Sequence, residues 1–136
     1  MTQNASVLLL SGFDEPFVVT ALELLISSGL RVQLIGLKRG IVSGRLGLHV
    51  QVNHAIDGLN GFSAVTTLLL PPCKQSHGQL MTDPRLHRFI AGVLERKGRL
   101  LLAPDAARVL QQVGIVDIGA SGCVVLDSSE VVAHLL

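Results

Sequence analysis

The chain has no tryptophan, no tyrosine and only four phenylalanines, so it lacks the aromatic platforms on which nucleic-acid bases stack. Charge is scarce too: 15% of residues are charged and the formal net charge is +1. That balance leaves no basic footprint for nucleic acid or for an anionic membrane surface. Long hydrophobic runs are missing; the apolar stretches at 68–70 and 100–102 fall far short of a bilayer-spanning length of about 20 residues. The opening MTQNASVLLL puts no basic segment before its apolar run and reads as a first strand, not as a signal peptide. Two cysteines, Cys73 and Cys123, cannot form a disulfide framework. These absences predict a cytoplasmic protein that binds neither nucleic acid nor membrane.

Apolar residues, by contrast, are plentiful. They make up 49% of 136 residues, the size of one domain, spanning residues 1–136, that can bury about two-thirds of its unfolded surface. So apolar a composition predicts that part of the surplus lies in a subunit contact.

The pattern along the chain alternates strands and helices. An apolar run at 7–11 ends at Gly12, and a helix is predicted over 14–28 with Asp14 as N-cap, Pro16 in its first turn and Gly29 beyond its end. A second strand at 31–37 completes a βαβ unit. In 41–52, Leu48, Val50 and Val52 alternate with polar neighbours, the period of a half-exposed antiparallel ribbon on a rim. A buried strand at 65–70 stops at Pro71–Pro72, and a helix is predicted over 83–97, capped by Asp83 and ended by Gly98. Further elements are a strand at 100–103, a helix at 106–113, a strand at 124–126 and a terminal helix whose start at Asp127 and Glu130 resembles a capping box. Four buried strands alternating with helices predict a doubly wound α/β sheet, mainly parallel and flanked by helices.

The order of VLLLSGFDEPFVVTALELLISSGLRVQLIGL, the ribbon, LLLP and ERKGRLLLA resembles the ThiJ/PfpI superfamily, with its class I glutamine amidotransferase-like, flavodoxin-like fold, from about Val7 to Gly114. The resemblance implies a catalytic cysteine on a strand-to-helix elbow, a glutamate bonded to it, and backbone amides from a Gly-Gly pair that receive an oxyanion. This sequence departs from each. The elbow falls within 102–105, which reads Leu102, Ala103, Pro104 and Asp105 without a nucleophile. Phe17 holds the glutamate position, and Pro72–Cys73 replaces the glycines, proline having no amide hydrogen. The resemblance therefore implies a degenerate site, with Phe17 and the 102–104 segment filling a small, mainly apolar depression.

Other candidates remain at the strand ends. Cys73 lies just past a strand, where α/β folds place ligands, and reads either as a redox or substrate contact or as a buried structural thiol. Asp105 could stand in for the nucleophile or hold a cation, but a helix N-cap is the plainer reading. Asp14 and Glu15 form an acidic pair that could face the same crevice as Asp105, or simply suit the helix dipole. His77 lies in the loop KQSHG near Cys73, where a solvated position is the simpler expectation. His49, His54, His77, His87 and His134 form no HxxxH or HExxH pair, no Cys stands at ligand spacing, and nothing resembles GxGxxG; neither a metal nor a cofactor is expected. The leading expectation is a non-catalytic binding or regulatory module whose partner is a small molecule or a protein. An enzyme with relocated chemistry at Cys73 or Asp105, and a ligand-sensing domain working with a separate regulator, are the alternatives.

The first helix is apolar over most of its circumference, with Thr20, Glu23 and Ser27 as the only polar stripe. A helix on one sheet needs an apolar arc of about 100°. With Val18, Leu22 and Leu25 facing the sheet, Phe17 and Leu24 are left on one flank and Val19 and Ile26 on the other. Dimers through this helix are usual among the deglycases of the resembled superfamily, so a homodimer is expected with these four residues at or beside its contact.

Overall fold

The structure is a computed structural model that describes residues 4–52, 54–57, 65–119 and 122–126. The expected terminal helix at Asp127 and Glu130, and His134, lie outside the described residues.

Continuous apolar runs pair as parallel strands because both of their faces need covering. Strand β1 (Asn4–Leu8) leads to helix α1 (Glu15–Ser27) and strand β2 (Arg31–Gly36). Strands β3 (Gly40–Ser43) and β4 (His49–Val52) form the antiparallel ribbon, followed by the two-residue β5 (His54–Ala55). Strand β6 (Thr67–Leu70) then precedes a 3₁₀ turn (Lys74–Ser76) and helices α2 (His77–Thr82) and α3 (Pro84–Glu95). Strand β7 (Arg99–Leu102), helix α4 (Pro104–Gln112) and strand β8 (Cys123–Val125) complete the described chain. The main sheet runs β5-β2-β1-β6-β7-β8, every pair parallel, with Val7 opposite both Leu34 and Leu69, and Leu70 opposite Leu102.

Successive strand residues point to opposite faces, which splits the core in two. Leu8, Leu10, Leu68, Leu70, Leu100 and Leu102 pack with Leu80, Leu86, Phe89, Ile90, Val93 and Leu110 of α2, α3 and α4. Val7, Leu9, Leu69 and Leu101 pack with Val18, Ala21 and Leu25 of α1 and with Val52 of the ribbon. The row of α1 on the sheet therefore includes Ala21, fully buried, where Leu22 was expected; Leu22 is half-buried. No described helix is long and apolar enough to cross a membrane.

Three local expectations are corrected. Residues 74–82 form the 3₁₀ turn and α2, so His77 begins a helix and is not a solvated loop residue. Helix α4 starts at Pro104, two residues early, because proline suits the first helical position, where no amide donor is needed. Its N-cap is Ala103, without a side-chain hydrogen bond, so Asp105 sits inside the first turn and is not the cap. Helix α3 ends at Glu95; Lys97, expected in its last turn, takes a left-handed φ of 62°. Gly98 cannot take over the packing burden of a larger residue, since a Cβ there would lie 2.7 Å from Val93 Cγ1 and the Val93 carbonyl. The caps at Asp14 and Asp83 are as expected: their carboxylates accept from Phe17 N at 3.0 Å and Arg85 N at 2.9 Å.

Candidate functional site

The carboxyl ends of β6 and β7 lie side by side, because Leu70 pairs with Leu102 and the Ala103 amide donates to the Leu70 carbonyl at 3.0 Å. What leaves these two strands meets there. After β6, Pro71–Pro72 lead to Cys73, and after β7, Ala103–Pro104 lead to Asp105. Asp105 Oδ2 accepts from the Cys73 amide at 3.1 Å and from His77 Nε2 at 2.7 Å. A carboxylate has no proton to give, so Nε2 carries the hydrogen in this contact. The Ser76 hydroxyl donates to the Ser11 carbonyl at 2.6 Å, which ties the turn before His77 to the segment that follows β1.

Cys73 is buried. Burial, reinforced by the negative charge of Asp105, pushes its thiol up to about 12. A sulfur that stays protonated at neutral pH is a poor nucleophile. Cys123 is half-buried and raised as well, by burial and by Asp117.

The acidic residues of α1 are arranged differently. Asp14 caps the helix and stands 3.5 Å from the Arg45 guanidinium. Glu15 does not turn to Asp105. It is 5% exposed, and its Oε2 accepts from the amides of Leu46 at 2.7 Å and Leu48 at 3.1 Å in the ribbon. Oε1 has no hydrogen-bond partner among the described residues. Burial alone would raise this carboxyl, but its own amide, those of Leu48 and Leu46, and Arg45 together hold it below the usual range. Gly44 makes the contact sterically feasible, since a Cβ there would collide with the Glu15 carboxyl.

Of the predicted site residues, the fold thus unites Cys73, His77 and Asp105 and separates them from Glu15. Phe17 is half-buried against the α1-side core, while Pro104 is exposed and fills nothing. The depression at the strand ends, of about 140 Å³, lies beside β1 and β2 and is lined by residues including Ser11, Lys38, Arg39 and Gln79. Neither Phe17 nor Pro104 borders it. Sequence reasoning paired Asp105 with Glu15 and missed its link to His77. No local signal carried that link, because Asp105 reaches His77 only through the pairing of β6 with β7.

No protein-family model and no curated protein matches the chain; the likeness lies in three-dimensional structure. Drosophila melanogaster DJ-1beta superposes with a TM-score of 0.82 at 14% identity, over 98% of this chain and 86% of the other. Oxidized Toxoplasma gondii DJ-1 gives 0.79 at 12%, over 98% and 86%. A two-domain protein from Anabaena variabilis with DJ-1/ThiJ/PfpI-like and ferritin-like domains gives 0.72 at 15%, over 84% of this chain but only 34% of that larger one. The chain has the ThiJ/PfpI-like fold.

Proposed function

We propose that the chain is a non-catalytic ThiJ/PfpI-like module that binds a small molecule or a protein and works as a homodimer. The observation that carries this reading is the elbow between β7 and α4, where Ala103, Pro104 and Asp105 offer no thiol or hydroxyl. The neighbouring groups are also engaged. Pro72 has no amide hydrogen, and the Cys73 amide is bonded to Asp105 and so is not free for an oxyanion. Assays for esterase, glyoxalase and deglycase turnover should stay at the level of heat-inactivated protein. Turnover above that level overturns the reading.

The contact of His77 with Asp105 beside a thiol favours a second reading, an enzyme with relocated chemistry at Cys73 or Asp105. It requires a reactive sulfur, so iodoacetamide at neutral pH should label Cys73 in the folded protein, and Cys73→Ala should abolish any turnover. A Cys73 that is modified only after denaturation removes the thiol form of this reading, which is most of it.

The dimer reading draws on unburied apolar surface. Val19 and Ile26 are 55% and 59% exposed on one flank of α1, whereas Phe17 and Leu24 are half-buried against the core. We therefore assign the proposed contact to the Val19 and Ile26 flank. Light scattering at tens of micromolar that finds a monomer refutes it.

A further inference from the structure

Spacing along the chain argued against a metal, yet the fold assembles a ligand set that the spacing does not show. One ligating atom each from Cys73, His77 and Asp105 lie within 4.8 Å of one another. We propose that these three side chains bind one thiophilic divalent cation of the zinc class, with solvent in the fourth position. The site stands whether or not the chain turns over a substrate, so it goes beyond the module reading.

The backbone holds the three groups in place before any ion arrives. Cys73 follows two prolines, and the Ser76 bond to Ser11 anchors the 3₁₀ turn that carries the chain to His77. Asp105 is fixed by the first turn of α4 and by the Cys73 amide. The donor set is selective: a thiolate and an imidazole suit zinc, whereas magnesium and calcium require oxygen alone. Charge also fits, because a divalent cation with one thiolate and one carboxylate sums to zero in a largely buried place. An ion has a way in, since the His77 and Asp105 side chains are 25% and 20% exposed although the sulfur is buried.

Binding rearranges little. Ligands of tetrahedral zinc stand about 3.3–3.7 Å apart, so the His77–Asp105 pair, now at 2.7 Å, opens by under about an ångström, and the sulfur already lies within 4.8 Å of both. The bonds formed are from the cation to Sγ, to Nε2 and to a carboxylate oxygen, replacing water molecules on the hydrated ion. The Cys73 S–H bond breaks and its proton leaves to solvent; the imidazole hydrogen moves from Nε2 to Nδ1, freeing the lone pair. The competing account is a polar network without an ion, in which Asp105 only satisfies the Cys73 amide and His77.

Metal-depleted full-length protein titrated with Zn²⁺ by calorimetry, and with Co²⁺ by absorption, separates the two. The expected result is one saturable equivalent and a thiolate-to-cobalt charge-transfer band in the near ultraviolet. Cys73→Ser should remove the band, and both Cys73→Ser and His77→Gln should weaken zinc by about 100-fold or more, the upper end of what even supporting residues of metal sites contribute. Absence of saturable binding, binding without the band, or zinc affinity unchanged in Cys73→Ser overturns the proposal. Far-ultraviolet circular dichroism checks the fold of each variant. If Cys73→Ser does not fold, an unchanged affinity in His77→Gln, altered at a partly exposed side chain, overturns it equally.

Discussion

On one face of the sheet, α2, α3 and α4 close over Leu8, Leu68, Leu70, Leu100 and Leu102; on the other, α1 and the ribbon are the described cover over Val7, Leu9, Leu69 and Leu101. The consequence is visible at the surface. Val19 and Ile26 of α1, with Ile41, Leu46 and Leu48 of the ribbon segment, are exposed, whereas among the described residues Met81 is the one large exposed apolar residue on the three-helix side. The α1 side also buries the one fully engulfed carboxylate among the described residues, Glu15. One face is thus finished by the chain itself with apolar packing. The other relies on a polar clasp and leaves apolar side chains of its described segments at the surface.

The strongest way to break this contrast is to hollow out each core in turn. Phe89→Ala should lower unfolding free energy by about 3–5 kcal/mol and Leu25→Ala by about 2–5 kcal/mol, read from urea denaturation. A loss below about 1 kcal/mol for Leu25 would mean that α1 is not packed as a core element. Acid tests the clasp. The Glu15 carboxyl is held below its usual range, so its contribution to stability is complete above the unfolded carboxyl value of about 4.3 and is lost as pH falls through the lower folded value. Protection of the Leu46 and Leu48 amides from hydrogen exchange should therefore fall below about pH 4, before that of Leu69 and Leu101. Simultaneous loss at all four positions would show that the ribbon has no separate weakness.

Two smaller effects sharpen the comparison. On the three-helix side, Lys97→Gly should stabilise by about 1 kcal/mol, because a side chain at a left-handed φ is strained. A destabilising result would mean that Lys97 makes a compensating contact. On the α1 side, Ile26→Glu should change monomer stability by no more than about 0.5 kcal/mol, since the residue is largely exposed. Its effect should appear in assembly: a dimer for the wild type and a folded monomer for the variant, measured by light scattering. An Ile26→Glu protein that remains dimeric places the contact elsewhere.

Local patterns made most of the scaffold legible. Apolar runs marked five of the six parallel strands, the two-residue β5 (His54–Ala55) having no such run, a period of two marked the ribbon, and Asp14 and Asp83 marked two helix starts, all properties of neighbouring residues. Helix α2 escaped because it is only six residues long and contains Gly78, so no period of 3.6 could register. Pro104 did carry the signal for the start of α4, but Asp105 looked like the better cap. The candidate site was half readable. Cys73 and His77 are a turn apart, whereas the arrival of Asp105 depends on β6 pairing with β7, and the partners of Glu15 depend on the ribbon folding over α1. Such contacts between distant segments leave no trace in local periodicity.

Strand β1 lies between β2 and β6, and its neighbours are made at very different times. As the chain leaves the ribosome, Arg31–Gly36 follows soon after Asn4–Leu8 and can pair with it at once through the βαβ unit. The other edge of β1 must wait for the α1 segment, the ribbon and everything else before Thr67–Leu70. During that interval a strand carrying Ala5, Val7 and Leu8 presents unpaired amides and carbonyls, a template for pairing with another nascent chain. The same strand order that gives the finished sheet its buried centre leaves one edge of that centre open in the half-made protein.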